Sequence, residues 1–190
     1  MNKTTRPLTM DEYKKFMELC LAGFKYESNG KEKVFRPNKR LYIALALESN
    51  LGLRVSDIEE LTLNNFQNGI LYKEEQKTGK KQNRKVSPAL LNVIQSYVIE
   101  NGLKPNDKIV KLSKRTIQHH IKTIADYLGI QDISTHSFRK LYATMQYKNN
   151  DNNIELVKEL LNHSSIATTQ RYIKVSQDAI DKASEEFFIL

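Results

Sequence analysis

Cysteine, glycine and tryptophan are scarce in this chain, and long apolar runs are missing. Cys20 is the only cysteine. No disulfide within the chain and no cysteine-based zinc site can form, so a reducing, cytoplasmic setting is expected. The seven glycines are scattered, with none of the clustering that a Gly-rich phosphate loop needs, and KTGKK at 77–81 lacks the Walker spacing. No apolar run is long enough to span a bilayer, and MNKTTRPLT has no apolar signal region, so no membrane partner is expected. Tryptophan is absent and aromatic residues make up 8%, which offers no stacking platform for single-stranded nucleic acid.

What the chain does carry is positive charge. Its 190 residues hold 30 Lys and Arg against 22 Asp and Glu, for a net charge of +8. Such a balance favours a polyanionic partner. Hydrophobic residues at 39% and charged residues at 27% are ordinary for a globular protein with one sizeable core.

The pattern along the chain is mainly helical with one small sheet. Thr9 and Glu12 form a capping box opening a helix to about Ala22. Residues 23–36, polar and containing Ser28-Asn-Gly30, read as a loop. Pro37 can open a second helix, whose run from Leu41 to Leu51 is apolar enough to be buried and which Gly52 ends. Ser56 to Glu59 starts another. Ile70-Leu71-Tyr72, the turn at Thr78-Gly79 and Arg84-Lys85-Val86 suggest a three-stranded antiparallel sheet over 66–87. Ser87-Pro88 caps a helix to about Glu100. Beyond Ser113 the chain reads as wholly helical, with a helix stopped by Gly129, one after Ser134-Thr135, one around Ile154 to Leu161, a short one near 166–171 and a last one from about Asp178 to Phe187.

Three clusters can carry chemistry. In Gly52-Leu53-Arg54-Val55-Ser56-Asp57 an arginine sits where a buried helix ends, with a carboxylate three residues on. A guanidinium there can grip an oxyanion bidentately while the carboxylate holds it, although surface Arg–Asp pairs are common. In Thr135-His136-Ser137-Phe138-Arg139 the helical spacing puts His136 and Arg139 on one face, which suits proton transfer at a phosphate. In Leu161-Asn162-His163 and Thr169-Gln170-Arg171-Tyr172, His163 follows an apolar helix and could simply cap it, and Tyr172 is one of nine tyrosines.

Taken together, Arg54, Lys77, His136-x-x-Arg139, His163 and Tyr172 resemble the catalytic signature of the tyrosine recombinase, or phage integrase, family. LGLRVSDIEELTL resembles the family's first-arginine box, THSFRKLYAT its His-x-x-Arg box, and LLNHSSIATTQRYI its terminal box. The resemblance spans about residues 7–175. One departure is Phe138, where the family more often has Leu. Lys77 in EEQKTGKK matches the family's hairpin lysine best, with Lys80 and Lys81 as neighbouring alternatives.

The resemblance implies a DNA strand-exchange enzyme that needs neither metal nor nucleotide. Tyr172 would attack a phosphodiester to give a 3′-phosphotyrosyl link and release a 5′-hydroxyl. Arg54 and Arg139 would clamp the non-bridging oxygens, and His136 and His163 would hydrogen-bond the same phosphate. His136 would also take the tyrosine proton, Lys77 would protonate the leaving oxygen, and Asp57 would orient Arg54. Lys80, Lys81, Arg84, Lys85, Lys114 and Arg115 would touch the backbone of double-stranded DNA. The expected assembly is a monomer when free and a tetramer on two DNA sites. The expected organisation is one catalytic domain, with its core over 1–174 and an acidic tail helix over 175–190. Ala179, Ile180, Ala183 and Phe187 form an apolar stripe on that tail, to dock on a neighbour or on the chain's own domain. The family's N-terminal DNA-clamping domain would be absent. A type IB topoisomerase and a non-enzymatic DNA-binding regulator are the rival readings.

Overall fold

A computed structural model describes residues 5–173, 181 and 184–187. Helix α1 (Met10–Ala22) begins at the expected capping box, with Glu12 accepting from the Thr9 N–H and Thr9 Oγ1 accepting from the Glu12 N–H. Helix α2 (Lys39–Leu51) is the central helix, with Leu41, Ile43 to Glu48 and Leu51 all buried. A helix apolar on nearly every side has to be surrounded, and α1, α4 (Pro88–Glu100), α5 (Lys114–Tyr127) and α6 (Thr135–Asn149) pack around it. Asn38, rather than Pro37, starts α2. Its side chain accepts from the Leu41 N–H, and Pro37 lies just outside.

Between α2 and α4 lie the one-turn helix α3 (Val55–Ile58), a 3₁₀ turn at Leu63–Asn65 and the expected antiparallel sheet. Residues 23–36 are not a loop but a hairpin of β1 (Phe24–Ser28) and β2 (Lys31–Phe35). Asn29 and Gly30 both have positive φ, as a two-residue hairpin turn requires. Phe24 stacks on Phe35 at 4.9 Å and on Tyr127 at 4.1 Å, which fastens the hairpin to α5. The three-stranded sheet then runs β3 (Phe66–Gln67), β4 (Ile70–Glu74), β5 (Lys81–Lys85) in that order, with Leu71 facing Arg84 across β4 and β5.

The C-terminal part places the site. Helix α6 starts at Ser134 and lays Phe138 fully inside, edge-on to Phe16 at 5.5 Å, so the departure from the family's leucine is absorbed by the core. Helices α7 (Ile154–Leu160) and α8 (Ile166–Gln170) pack on each other, and α7 also packs on α6. The expected tail helix over 175–190 is described only at 181 and 184–187, of which 181, 184 and 185 are helical. Of its stripe only Phe187 is described, and it is 71% exposed. Among the described residues no helix is long and apolar enough to cross a membrane.

Candidate active site

Arg54 is placed by the way α2 stops. Gly52 takes the left-handed conformation (φ 59°), and a Cβ there would meet the Tyr142 ring at 2.3 Å. The chain turns sharply, Leu53 is buried, and Arg54 becomes the N-cap residue of α3. Its guanidinium does not go to Asp57. It pairs with the buried carboxylate of Glu75, at the end of β4, which also accepts from Thr78 Oγ1 (2.8 Å) and Gln82 Nε2 (2.8 Å). Burial alone would raise the Glu75 pKa. The hydrogen bonds from Thr78, Arg54 and Gln82 and the charge of Arg54 outweigh it and hold the carboxyl below its ordinary value. Asp57 is fully buried, and its Oδ1 accepts from the Gln76 main-chain N–H at 2.9 Å. The expected orienting role of Asp57 is therefore corrected: Asp57 holds the backbone of the β4–β5 turn, and Glu75 holds Arg54. Glu75 lacked a motif of its own. The only signal was strand period, which puts it on the buried side with Leu71.

Arg139 lies on α6 and is 0% exposed. It donates to the Gly52 carbonyl, to the Leu161 carbonyl (2.8 Å) and, through Nη2, to His163 Nε2 (3.2 Å). All three partners are neutral. Of the buried carboxyls near it, Glu48 is driven by burial well above the usual carboxylate range against the pull of Arg139, and the charge of Glu75, already paired with Arg54, reaches Arg139 without an ion pair among the described residues. The charge of Arg54 is felt at Arg139, which brings the two expected clamp residues together.

His163 follows α7, where Asn162 has positive φ, and is 5% exposed. Its Nδ1 lies 3.0 Å from Thr169 Oγ1 on α8. Burial first, then the charges of Arg139 and Arg54, lower its pKa to about 4. A neutral ring with Nε2 accepting from Arg139 must carry its proton on Nδ1 and donate it to Thr169. Tyr172 stands edge-on to this ring at 5.0 Å, half-buried, and its hydroxyl is close enough to act on Arg139. Lys140 Nζ lies 5.6 Å from the Tyr172 ring centre. Thr169 and Lys140 were not anticipated.

His136 sits one turn before Arg139 on α6, with its ring at the surface. Partial loss of solvent, then the charges of Arg139, Lys140, Lys114 and Arg54, depress its pKa. Lys77, Lys80 and Lys81 are exposed on the β4–β5 turn, and of these it is Lys80 whose charge reaches His163. Lys85, Lys114 and Arg115 are exposed, and the charge of Lys114 is felt at His136. Arg84 differs from the other expected DNA contacts. Its guanidinium turns inward to Tyr142 Oη (2.9 Å), the Leu160 carbonyl (3.0 Å) and the Leu51 carbonyl. The pleat is the reason: along β5 Gln82, Arg84 and then Val86 face in, while Lys81, Asn83 and Lys85 face out.

The site thus gathers Arg54, Arg139, His163 and Tyr172 from four separate stretches, with His136 and the lysine turn beside them. Two guanidinium groups, only one of them paired with a carboxylate among the described residues, make a receptor for an anion next to a tyrosyl hydroxyl.

Comparisons with known proteins bear on the family and the fold. The profile of the phage integrase family matches residues 6–178. The probable integrase/recombinase YoeC of Bacillus subtilis is 30% identical over 165 residues, covering 83% of this chain and 90% of that protein. Tyrosine recombinase XerA of Pyrococcus furiosus is 28% identical, covering 97% of this chain but 63% of its own length. Among solved structures, XerA recombinase superposes with a TM-score of 0.73 at 19% identity, over 100% of this chain and 66% of that one. XerH bound to a palindromic difH substrate gives 0.74 at 20% identity, over 97% and 53%. The chain therefore spans about half to two-thirds of its larger relatives and nearly all of one of its own size, and it belongs to the phage integrase family of tyrosine recombinases.

Proposed function

We propose that this chain cuts and rejoins double-stranded DNA at specific sites through a 3′-phosphotyrosyl intermediate on Tyr172. The observation that carries the reading is Arg139, a fully buried guanidinium whose hydrogen-bond partners among the described residues are neutral groups, with Arg54, His163 and the Tyr172 hydroxyl gathered about it. A buried cation that makes no ion pair among the described residues gains most from an anionic ligand whose charge grows in the transition state.

The Tyr172 oxygen attacks phosphorus, the P–O5′ bond breaks, and Arg54 and Arg139 hold the non-bridging oxygens. A phenol has a pKa of about 10 and needs help to lose its proton near neutrality. His136, neutral there because its pKa is depressed, accepts that proton. His163 presents its ring to Arg139 and sets that guanidinium in place. A lysine of the β4–β5 turn, Lys77 on the resemblance, gives a proton to the leaving 5′-oxygen. The exposed Lys80, Lys81, Lys85, Lys114 and Arg115 contact phosphates. Because the solved λ integrase is bound to a COC′ core site, XerH to a difH substrate and the Tn1549 integrase to a circular intermediate DNA, we extend DNA as partner to this chain. We also propose a free monomer that assembles as a tetramer on two sites, in the cytoplasm.

The test is a nicked suicide duplex that traps the covalent product on a denaturing gel. The unaltered protein is expected to give an adduct, and Tyr172→Phe none, at nearly unchanged DNA affinity. An adduct that persists in Tyr172→Phe sinks the assignment of the nucleophile.

A further inference from the structure

Two arginines bridge the same two helix ends. The last residue of α2 is Leu51 and its cap is Gly52; the last residue of α7 is Leu160 and its cap is Leu161. Arg139 donates to the carbonyls of both caps, Gly52 and Leu161. Arg84 donates to the carbonyls of both last residues, Leu51 and Leu160. Carbonyls at a helix C-terminus have no partner within the helix and carry the negative end of its dipole, so cationic forks suit them. Arg54 follows one of these ends and His163 the other.

The two arginines come from different elements, and that separates their effects. Arg139 comes from α6, deep in the core. Arg84 comes from β5, the strand that leads out of the Lys77–Lys81 turn. Its third acceptor, Tyr142 Oη, is on α6 as well. Without Arg84 the two helix ends are still bridged by Arg139, but the hairpin strand loses the three hydrogen bonds by which Arg84 ties it to α2, α6 and α7. The turn keeps its β4–β5 ladder, Glu75 with Thr78, Gln82 and Arg54, and the Gln76 contact to Asp57, none of which fixes it to α6 or α7.

We propose that Arg84 is a positioning residue, not a DNA contact: it fastens the lysine-bearing hairpin to the helix ends that present Arg54 and His163. The inference rests on the proposed reading that a lysine of this turn protonates the leaving 5′-oxygen. Loss of Arg84 then damages acid delivery to the leaving group more than it damages the phosphate clamp.

The experiment compares the unaltered protein with Arg84→Met and Arg84→Lys on two suicide duplexes, one normal and one with sulfur in place of the bridging 5′-oxygen. A thiolate leaves without an acid, because a thiol has a pKa near 8.5. On the normal duplex Arg84→Met is expected to lose about 100-fold in adduct formation, as for a removed general acid. On the sulfur duplex it returns close to the rate of the unaltered protein. Arg84→Lys keeps the charge but not the fork, and is expected to show a smaller loss with the same rescue; it carries the test if Arg84→Met does not fold. The salt dependence of DNA affinity is expected to stay unchanged, whereas removing a phosphate contact lowers its slope by about 0.9. Equal impairment on both duplexes in a folded variant, an unimpaired normal duplex, or a shallower salt slope each overturns the proposal. If the unaltered protein itself forms no adduct on either duplex, the reading beneath it falls and takes the inference along.

Discussion

At His163 the imidazole is held neutral down to about pH 4, by burial and by the charges of Arg139 and Arg54. An unfolded chain would protonate the same ring near 6.5. Between those two values the unfolded state binds more protons than the folded one, so stability rises with pH there. The contribution is complete above about 6.5 and is lost as pH falls toward 4; at full size it is on the order of 3 kcal/mol. His136 and His120, also depressed, act in the same direction. His163→Gln should flatten this part of the curve. Urea melts at pH 4.5, 5.5 and 7 would show it, and a variant that keeps the full pH slope would place its origin elsewhere. The same residue shows what single positions disclose. Its identity was legible from spacing to Arg139 and Tyr172, but its hydrogen-bond partner Thr169 was not, because nothing in a lone threonine marks the side chain it will meet.

Among the elements, the most telling is the end of α2. Gly52 has positive φ, and its α-hydrogen side faces the Tyr142 ring, so a methyl group would be both strained and crowded. Gly52→Ala is expected to destabilise the fold by about 2–4 kcal/mol, combining the left-handed penalty and overpacking. It should also reduce adduct formation beyond any loss of folded protein, because the Gly52 carbonyl is an Arg139 acceptor and Arg54 lies two residues on. Thermal melts together with adduct yield per folded molecule check both parts. This helix end was readable in advance, as were the capping box of α1, the Ser87-Pro88 start of α4 and the three-stranded sheet, since each has a local signature. The hairpin over 24–35 was misread although Asn29-Gly30 is a strong turn signal. Its strands are short and half charged, and the aromatic pattern of Phe24, Tyr26 and Phe35 gains meaning only once Tyr127 is packed against it. Arg84 was read outward, as a DNA contact, because of its charge, and Glu75 drew no reading at all, while the strand period carried each to an inner face.

Across the whole molecule, the +8 charge is divided into two kinds. Arg54, Arg84 and Arg139 are turned inward onto carboxylate, carbonyl or imidazole, and they shape the site. Lys81 and Lys85 point outward from β5, and Lys114 and Arg115 from the start of α5, and all four are exposed. Only the second kind can release counter-ions when DNA binds, so only these should set the salt dependence of affinity. Lys81→Gln with Lys85→Gln is expected to lower the slope of log affinity against log salt by about 1.8 and to weaken binding to any duplex alike. Fluorescence anisotropy over a salt series, on a target and on an unrelated duplex, measures both quantities. If the double variant kept the parent slope, the outward face of β5 would not be where the backbone lies, and the approach of DNA over the lysine turn would have to be redrawn.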